Sequence, residues 1–235
     1  MHYDIAIVGY GPVGAAAASM FGKKGFNTVV IEPKKDIWDI PRAVHFDGQV
    51  QRVYQSMGIS SEVEKIIDIM TGITFLNHKG NKIVSLNMNN APRKNSYHED
   101  VMFDQPKFER ILRNHAEKNK NIDFKIGSYV SKLDPRESGN LLEIFDTNTN
   151  KISEISASYV IGADGADSFV RKSTKIKSKD FKEDEDWIVV DYLVDDNFEI
   201  NRQRYQVCDY RRPTTLLPIT GNQPLSNCVS DESLP

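Results

Sequence analysis

Tyr3-Asp4-Ile5-Ala6-Ile7-Val8 runs directly into Gly9-Tyr10-Gly11-Pro12-Val13-Gly14, and this stretch decides the fold. A helix of small residues follows, then a second apolar run, Thr28-Val29-Val30-Ile31, closed by Glu32. Strand, glycine turn, helix, strand and acid, in that order, form a dinucleotide-binding βαβ unit. Gly9 permits the tight turn, Gly11 lets a pyrophosphate approach the backbone, and Gly14 lets the helix pack closely. Pro12 and Val13 open the helix, whose free amides and positive dipole end face the phosphates. Glu32 is placed to accept hydrogen bonds from a ribose hydroxyl pair and would repel a 2′-phosphate. The expected ligand is therefore FAD or NAD rather than NADP. The turn alone is also compatible with some other α/β protein, and the choice of dinucleotide stays open at this point.

Composition narrows the field. The chain has 235 residues, enough for one large or two small domains, with 39% hydrophobic and 27% charged residues. A net charge of -3 gives no reason to expect nucleic acid or an anionic membrane as partner. The longest apolar stretches, such as Ala15–Phe21, are far short of a membrane span, and the N-terminus enters a strand with no room for a cleavable signal. The only cysteines are Cys208 and Cys228, so no disulfide framework is implied, and a cytoplasmic location is expected. The histidines show no HxH, HxxxH or HExxH spacing, so no metal site is expected. Ser168 has no evident His-Asp partners for hydrolase chemistry.

Periodicity organises the rest. A first helix is expected over about 12–24, with Val13, Ala16, Ala17, Met20 and Phe21 on its inner face. Residues 36–45 read as a loop. Asp47 should cap a helix bearing Val50, Val53, Tyr54 and Met57 and ended by Gly58, and a short helix near Ser60 should turn Val63, Ile66 and Ile67 inward. A hairpin is expected from 73–76 and 82–86 around Lys79-Gly80, and a helix after Asp104 carrying Phe108, Ile111, Leu112 and His115. Strands are expected at 122–126, 141–145, 152–161, 187–194 (buried) and 203–209, and coil from 219 onward. The result is an α/β fold: a Rossmann-like βαβ sheet with an antiparallel β annex.

Two further motifs stand out. Tyr159-Val160-Ile161-Gly162-Ala163-Asp164-Gly165 ends a strand in a glycine-flanked acid, followed by Ser168 and Arg171. The glycines would expose the Asp164 carboxylate and nearby amides to a ligand, although an ordinary Asp-Gly turn has the same sequence. Pro41-Arg42-Ala43-Val44-His45-Phe46-Asp47 follows the βαβ unit, where Arg42 is either a pyrophosphate clamp or a solvated surface arginine.

In this order the three motifs resemble the class A flavoprotein monooxygenases, the para-hydroxybenzoate hydroxylase-like fold. The likeness is strongest to 3-(3-hydroxyphenyl)propionate hydroxylases. Asp104-Gln105-Pro106 with Glu109, Trp187–Asp191 and Val207–Thr214 add to it. The resemblance implies FAD held at its pyrophosphate by Gly9, Gly11 and Gly14 and at its adenosine ribose by Glu32. Arg42 and Gln105 would serve the phosphate and ribityl region. Asp164, Gly165 and Arg171 would serve both FAD and a transient NADH or NADPH. It further implies hydroxylation of a small aromatic substrate with molecular oxygen through a flavin C4a-hydroperoxide, with no catalytic side-chain nucleophile. The alternatives are a binding module without catalysis and another FAD-dependent oxidoreductase of this fold.

The resemblance also implies a discontinuous FAD-binding domain, 1–72 with 100–178, and an incomplete substrate-domain sheet from 73–99 and 179–222. The family's second FAD motif, of the Gly-Asp-Ala-Ala-His type, has no match, and 223–235 reads as an irregular tail. A C-terminally truncated product is therefore expected. Its strands at 187–194 and 203–209 would lack partners, its FAD binding would be weak, and it would hydroxylate little or nothing on its own.

Overall fold

A computed structural model describes residues 1–39, 43–91, 93–182, 186–192, 202–218 and 225–230. In chain order its first half comprises β1 (His2–Val8), α1 (Pro12–Lys23), β2 (Thr28–Glu32), β3 (His45–Phe46), α2 (Gly48–Met57), α3 (Ser60–Val63), β4 (Ile67–Ile69), β5 (Gly72–Asn77), β6 (Lys82–Asn87) and β7 (Val101–Phe103). The second half comprises α4 (Gln105–Ala116), β8 (Ile122–Ile126), β9 (Ser128–Arg136), β10 (Gly139–Asp146), β11 (Lys151–Gly162), α5 (Phe169–Ser173), β12 (Trp187–Tyr192), β13 (Gln203–Cys208), β14 (Thr214–Leu217) and β15 (Leu225–Ser230).

The chain divides into two compact units, Met1–Ile40 with Pro106–Lys179, and Pro41–Gln105 with Asp180–Pro235. The first break falls at residue 40 rather than at the expected 72. The reason lies in strand pairing: β3, β7 and β4 form a sheet of their own, in that order, so the segment between β2 and β5 is tied to β7.

The first unit is built on a six-stranded sheet in the order β8-β2-β1-β11-β10-β9. β8, β2, β1 and β11 are parallel, while β10 and β9 continue antiparallel as the expected annex. β2 is buried along its whole length, as a central parallel strand covered on both faces requires. Ala6, Val8, Val29, Leu142, Ile144 and Ala157 lie in its core.

Helix α1 turns a different face inward from the one its larger apolar residues suggest. Gly14, Ala15, Ala18, Ser19 and Gly22 are buried, while Val13 and Met20 are exposed. The packing distance explains this: a Cβ on Gly22 would stand 2.6 Å from Ile122 Cδ1, so only the smallest side chains fit there. On α4 the inner face is closer to expectation, with Phe108, Leu112 and Ala116 buried, but it also buries Glu109 and Arg113.

The second unit carries a six-stranded sheet in the order β12-β15-β14-β13-β5-β6. β5 and β13 pair in parallel and the remaining neighbours are antiparallel. Three expectations need correction. Leu225–Ser230 is a strand rather than part of an irregular tail, because its backbone pairs residue for residue with β12, from Trp187↔Ser230 to Tyr192↔Leu225. β12 thereby has a partner, and β13 has β14 on one side and β5 on the other, so neither strand lacks partners. β12 is an edge strand, and its Trp187, Ile188 and Val189 are exposed rather than buried. Residues 193–194, 219–224 and 231–235 lie outside the described residues.

Around the small sheet, Asp47 caps α2 as expected, its Oδ1 accepting the amides of Gln49 and Val50 at 2.9 and 3.0 Å. Gly58 ends α2 at φ 89°. Ile67 begins β4 instead of lying on the preceding helix, because its backbone pairs with Phe103.

Tyr3 links nonadjacent strands of the first unit across β2, its hydroxyl donating to Asp123 Oδ2 on β8 at 2.7 Å. Burial, reinforced by Asp123, pushes the phenol up from 10.0 to about 12. A raised value means that the folded state favours the neutral phenol. Its contribution is therefore full below pH 10 and is lost as the pH rises through about 12. In denaturant titrations, the wild type should lose more stability than Tyr3→Phe between these pH values; parallel profiles would refute this.

Candidate dinucleotide-binding site

β1 and β11 run in parallel until Val8 stands opposite Gly162. Both strands then leave the sheet at the same edge. Ala163 donates its amide to the Val8 carbonyl at 2.7 Å, and Gly9 donates to Ile31 at the end of β2 at 2.8 Å. The glycine turn and the Ala163–Gly165 turn are thereby pressed together at the carboxyl ends of the strands, where open α/β sheets bind ligands.

The three glycines of the turn meet different surroundings. Gly9 sits at φ 101°, and a Cβ there would lie 2.3 Å from the Ala163 carbonyl oxygen. A Cβ on Gly14 would lie 2.0 Å from the Gly9 oxygen. A Cβ on Gly11, at φ −70°, would meet no protein atom within 4 Å. The first backbone hydrogen bond of α1 runs from Ala15 to Gly11 at 2.9 Å. The amides of Val13 and Gly14 precede it and have no carbonyl to reach within the helix, and Pro12 has no amide to leave unpaired.

Glu32 is 8% exposed, and both carboxylate oxygens are engaged. Oε2 accepts the Tyr10 amide at 2.7 Å, and Oε1 accepts the Lys34 amide at 2.9 Å. Its first task is thus to clamp the glycine turn to the end of β2. Each oxygen retains a further lone pair for another donor.

Asp164 also differs from the expectation of a carboxylate offered outward. Oδ1 accepts the Ser168 hydroxyl at 2.6 Å and Oδ2 accepts the Val170 amide at 3.1 Å. Ser168 in turn accepts the Arg171 amide at 3.0 Å. The carboxylate is drawn into the start of α5 because Ser168 and the first-turn amides there need acceptors. Gly165, at φ 83°, makes the reversal possible. Arg171 donates from one guanidinium nitrogen to Ala166 at 2.8 Å.

In the second unit, Gln105 is buried and its Oε1 accepts the Ala43 amide at 2.7 Å, anchoring the residue next to Arg42. Arg42 itself lies outside the described residues. Among the described residues, no cluster of three or more His, Cys, Asp or Glu side chains is arranged to hold a metal ion, and no helix is long and apolar enough to cross a membrane.

A family model for an FAD binding domain matches residues 2–227. The chain belongs to this FAD binding domain family. Its cofactor is FAD. Among curated relatives, a probable NADH-specific resorcinol 4-hydroxylase of Rhodococcus jostii is 26% identical over 216 residues, covering 92% of this chain and 41% of the relative. A 3-(3-hydroxy-phenyl)propionate/3-hydroxycinnamic acid hydroxylase of Paraburkholderia xenovorans is 30% identical over 213 residues, covering 89% of this chain and 33% of the relative. The chain thus spans well under half the length of these relatives. The solved p-nitrophenol 4-monooxygenase of Pseudomonas putida superposes with a TM-score of 0.89 at 18% identity, covering 99% of this chain and 59% of that one, and so shares its fold.

The first unit fits the FAD pyrophosphate. The space over Gly11 is what a Cβ would fill, and the amides of Val13 and Gly14 supply donors beside it. From sequence, Tyr10 and Arg113 carry no expected role, and Glu109 enters only as part of the motif that carries the resemblance. The signal for Glu109 and Arg113 was a pair of opposite charges one helical turn apart on the same face as Phe108 and Leu112.

The differing surroundings of the glycines separate ligand effects from folding effects. Gly11→Ala should leave the melting temperature within about 2 °C of wild type, since open space and a negative φ accept a methyl group, yet weaken FAD binding about tenfold. Gly14→Ala should lose about 1–3 kcal/mol of stability through its contact with the Gly9 carbonyl. Thermal melts with flavin titrations check both; equal effects from the two substitutions would contradict the assignment.

Proposed function

We propose that this chain is the FAD-binding part of an FAD-dependent, NAD(P)H-using monooxygenase that hydroxylates a small phenolic ring with molecular oxygen. The observation that carries this reading is the close packing of the Gly9–Gly14 turn against the Ala163–Gly165 turn at the ends of paired parallel strands. A nucleotide site needing only one glycine turn gives no reason for the second to be built against it.

The names of the relatives set the chemistry proposed. Resorcinol and 3-(3-hydroxy-phenyl)propionate are both phenols, and one relative is named as NADH-specific, which favours NADH as reductant. FAD, when bound, supplies hydride acceptance from the nicotinamide and activation of oxygen toward the ring. The work of this chain is to bind and orient. The Val13 and Gly14 amides, with the space over Gly11, take the pyrophosphate. Glu32 uses its remaining lone pairs for the adenosine ribose. The family resemblance assigns Arg42 and Gln105 to the phosphate and ribityl region, and Gly165 and Arg171 to the part shared with the nicotinamide nucleotide. The proposed location is cytoplasmic.

Titration of the purified chain with FAD, followed by flavin fluorescence, should show saturable binding at one site per chain. NADH oxidation with resorcinol or 3-(3-hydroxyphenyl)propionate, with product analysis, tests the remainder. A hydroxylated product supports the whole reading. Saturable FAD binding alone supports the cofactor-binding part of the reading, and failure to bind FAD overturns it.

A further inference from the structure

Tyr10 stands between the first two glycines of the turn yet is only 1% exposed. Its ring centroid lies 5.3 Å from that of Phe124 on β8. The Arg113 guanidinium carbon on α4 sits 4.6 Å from the ring centre, within cation–π range. The Tyr10 hydroxyl donates to the Arg113 carbonyl at 3.3 Å. Arg113 donates to Glu109 Oε1 at 2.7 Å, and the two side chains are only 11% and 4% exposed. Burial foremost, then the charge of Glu117, pushes the Tyr10 phenol well above its ordinary range, against the opposing pull of Arg113. The phenol is therefore a neutral donor.

A buried ion pair is a poor way to stabilise a helix face. Apolar residues of similar volume often do as well or better, because both charges must be stripped of water. Here Arg113 Nε is also buried without a hydrogen-bond partner. What the pair does provide is a flat, directional contact against one side chain, and that side chain belongs to the turn beside the open space over Gly11. Tyr10 is held at three points: its amide by Glu32, its ring by Arg113 and Phe124, and its hydroxyl by the α4 backbone.

We infer that the Arg113–Glu109 pair positions the Gly9–Gly11 turn for the FAD pyrophosphate by fixing Tyr10 from the interior side. Neither residue touches the ligand; both are positioning residues. The inference rests on the FAD reading of the site given above.

The test uses the full chain and three probes: FAD, ADP, which retains the pyrophosphate, and adenosine, which lacks it. Glu109→Gln with Arg113→Met removes both charges together, so that neither is left buried alone. This double variant should bind FAD and ADP about tenfold more weakly, adenosine unchanged, and melt at or above the wild-type temperature. Arg113→Lys keeps a cation over the ring and a partner for Glu109, and should restore FAD binding to within about threefold. If the double variant does not fold, Tyr10→Leu probes the same contact from the other side, with the same loss expected for ADP and not for adenosine. Unchanged FAD and ADP affinity in a folded variant, or equal losses for ADP and adenosine, overturns the positioning role. A wild-type chain that binds no FAD overturns the site reading itself, and the inference with it.

Discussion

The parallel pairing of β1 with β11 is the constraint on which the site depends. Parallel neighbours leave a sheet in the same direction, so the chain after Val8 and the chain after Gly162 must both turn in one small volume. Two turns fit there only if one of them lacks side chains. Gly9 meets that demand by passing within a would-be Cβ distance of 2.3 Å of the Ala163 oxygen, and Gly14 then closes on Gly9 in the same way. Of these three glycines, only Gly11 would carry a Cβ with no protein atom within 4 Å. The fold thus uses two of the three glycines to make the third accessible.

The parts of this arrangement set by local chemistry were legible in the sequence. The apolar run into Gly9, the acid at the end of the second run, the Asp47 cap and the turn at Gly80 each carry their signal within a few residues. The βαβ pairing of β1 with β2 and the turn between β10 and β11 followed from the spacing of apolar runs, whereas the place of β8 beside β2 emerges only from the pairing itself. The clustering of the two glycine turns was legible only through family resemblance, because nothing within either motif reports that their strands are neighbours.

The features that escaped depend on contacts made at a distance. β9 carries a weak strand signal because its two buried apolar residues, Val130 and Leu133, are three apart rather than two. A register shift opposite Glu143 and Ile144 takes up the extra residue, so the period of an ordinary strand is broken. Pro135 also argues against a strand, yet β9 is an edge strand, where a missing amide is tolerated. The inner face of α1 is hidden for the opposite reason: the larger residues Val13 and Met20 give the stronger apolar signal, while the sheet admits only glycine, alanine and serine. β15 has few apolar residues, and pairing with β12 and β14 makes it a strand.

The two carboxylates show why assigning an acid to a ligand from sequence alone is incomplete. Glu32 and Asp164 both stand beside a site proposed for a pyrophosphate, where an unbalanced negative charge would oppose binding. Each accepts a hydrogen bond from at least one backbone amide, Glu32 from Tyr10 and Lys34, and Asp164 from Val170 at the start of α5. Such charge-assisted bonds spread the carboxylate charge into the protein and fix the turns at the same time. In the proposed reading Glu32 would offer a neighbouring ribose the lone pairs its amides leave free, and the phosphates would face the Val13 and Gly14 amides instead of a carboxylate. Charge compatibility and turn geometry therefore come from the same hydrogen bonds. Replacing either acid would alter the shape of the site before it altered any direct contact with the cofactor.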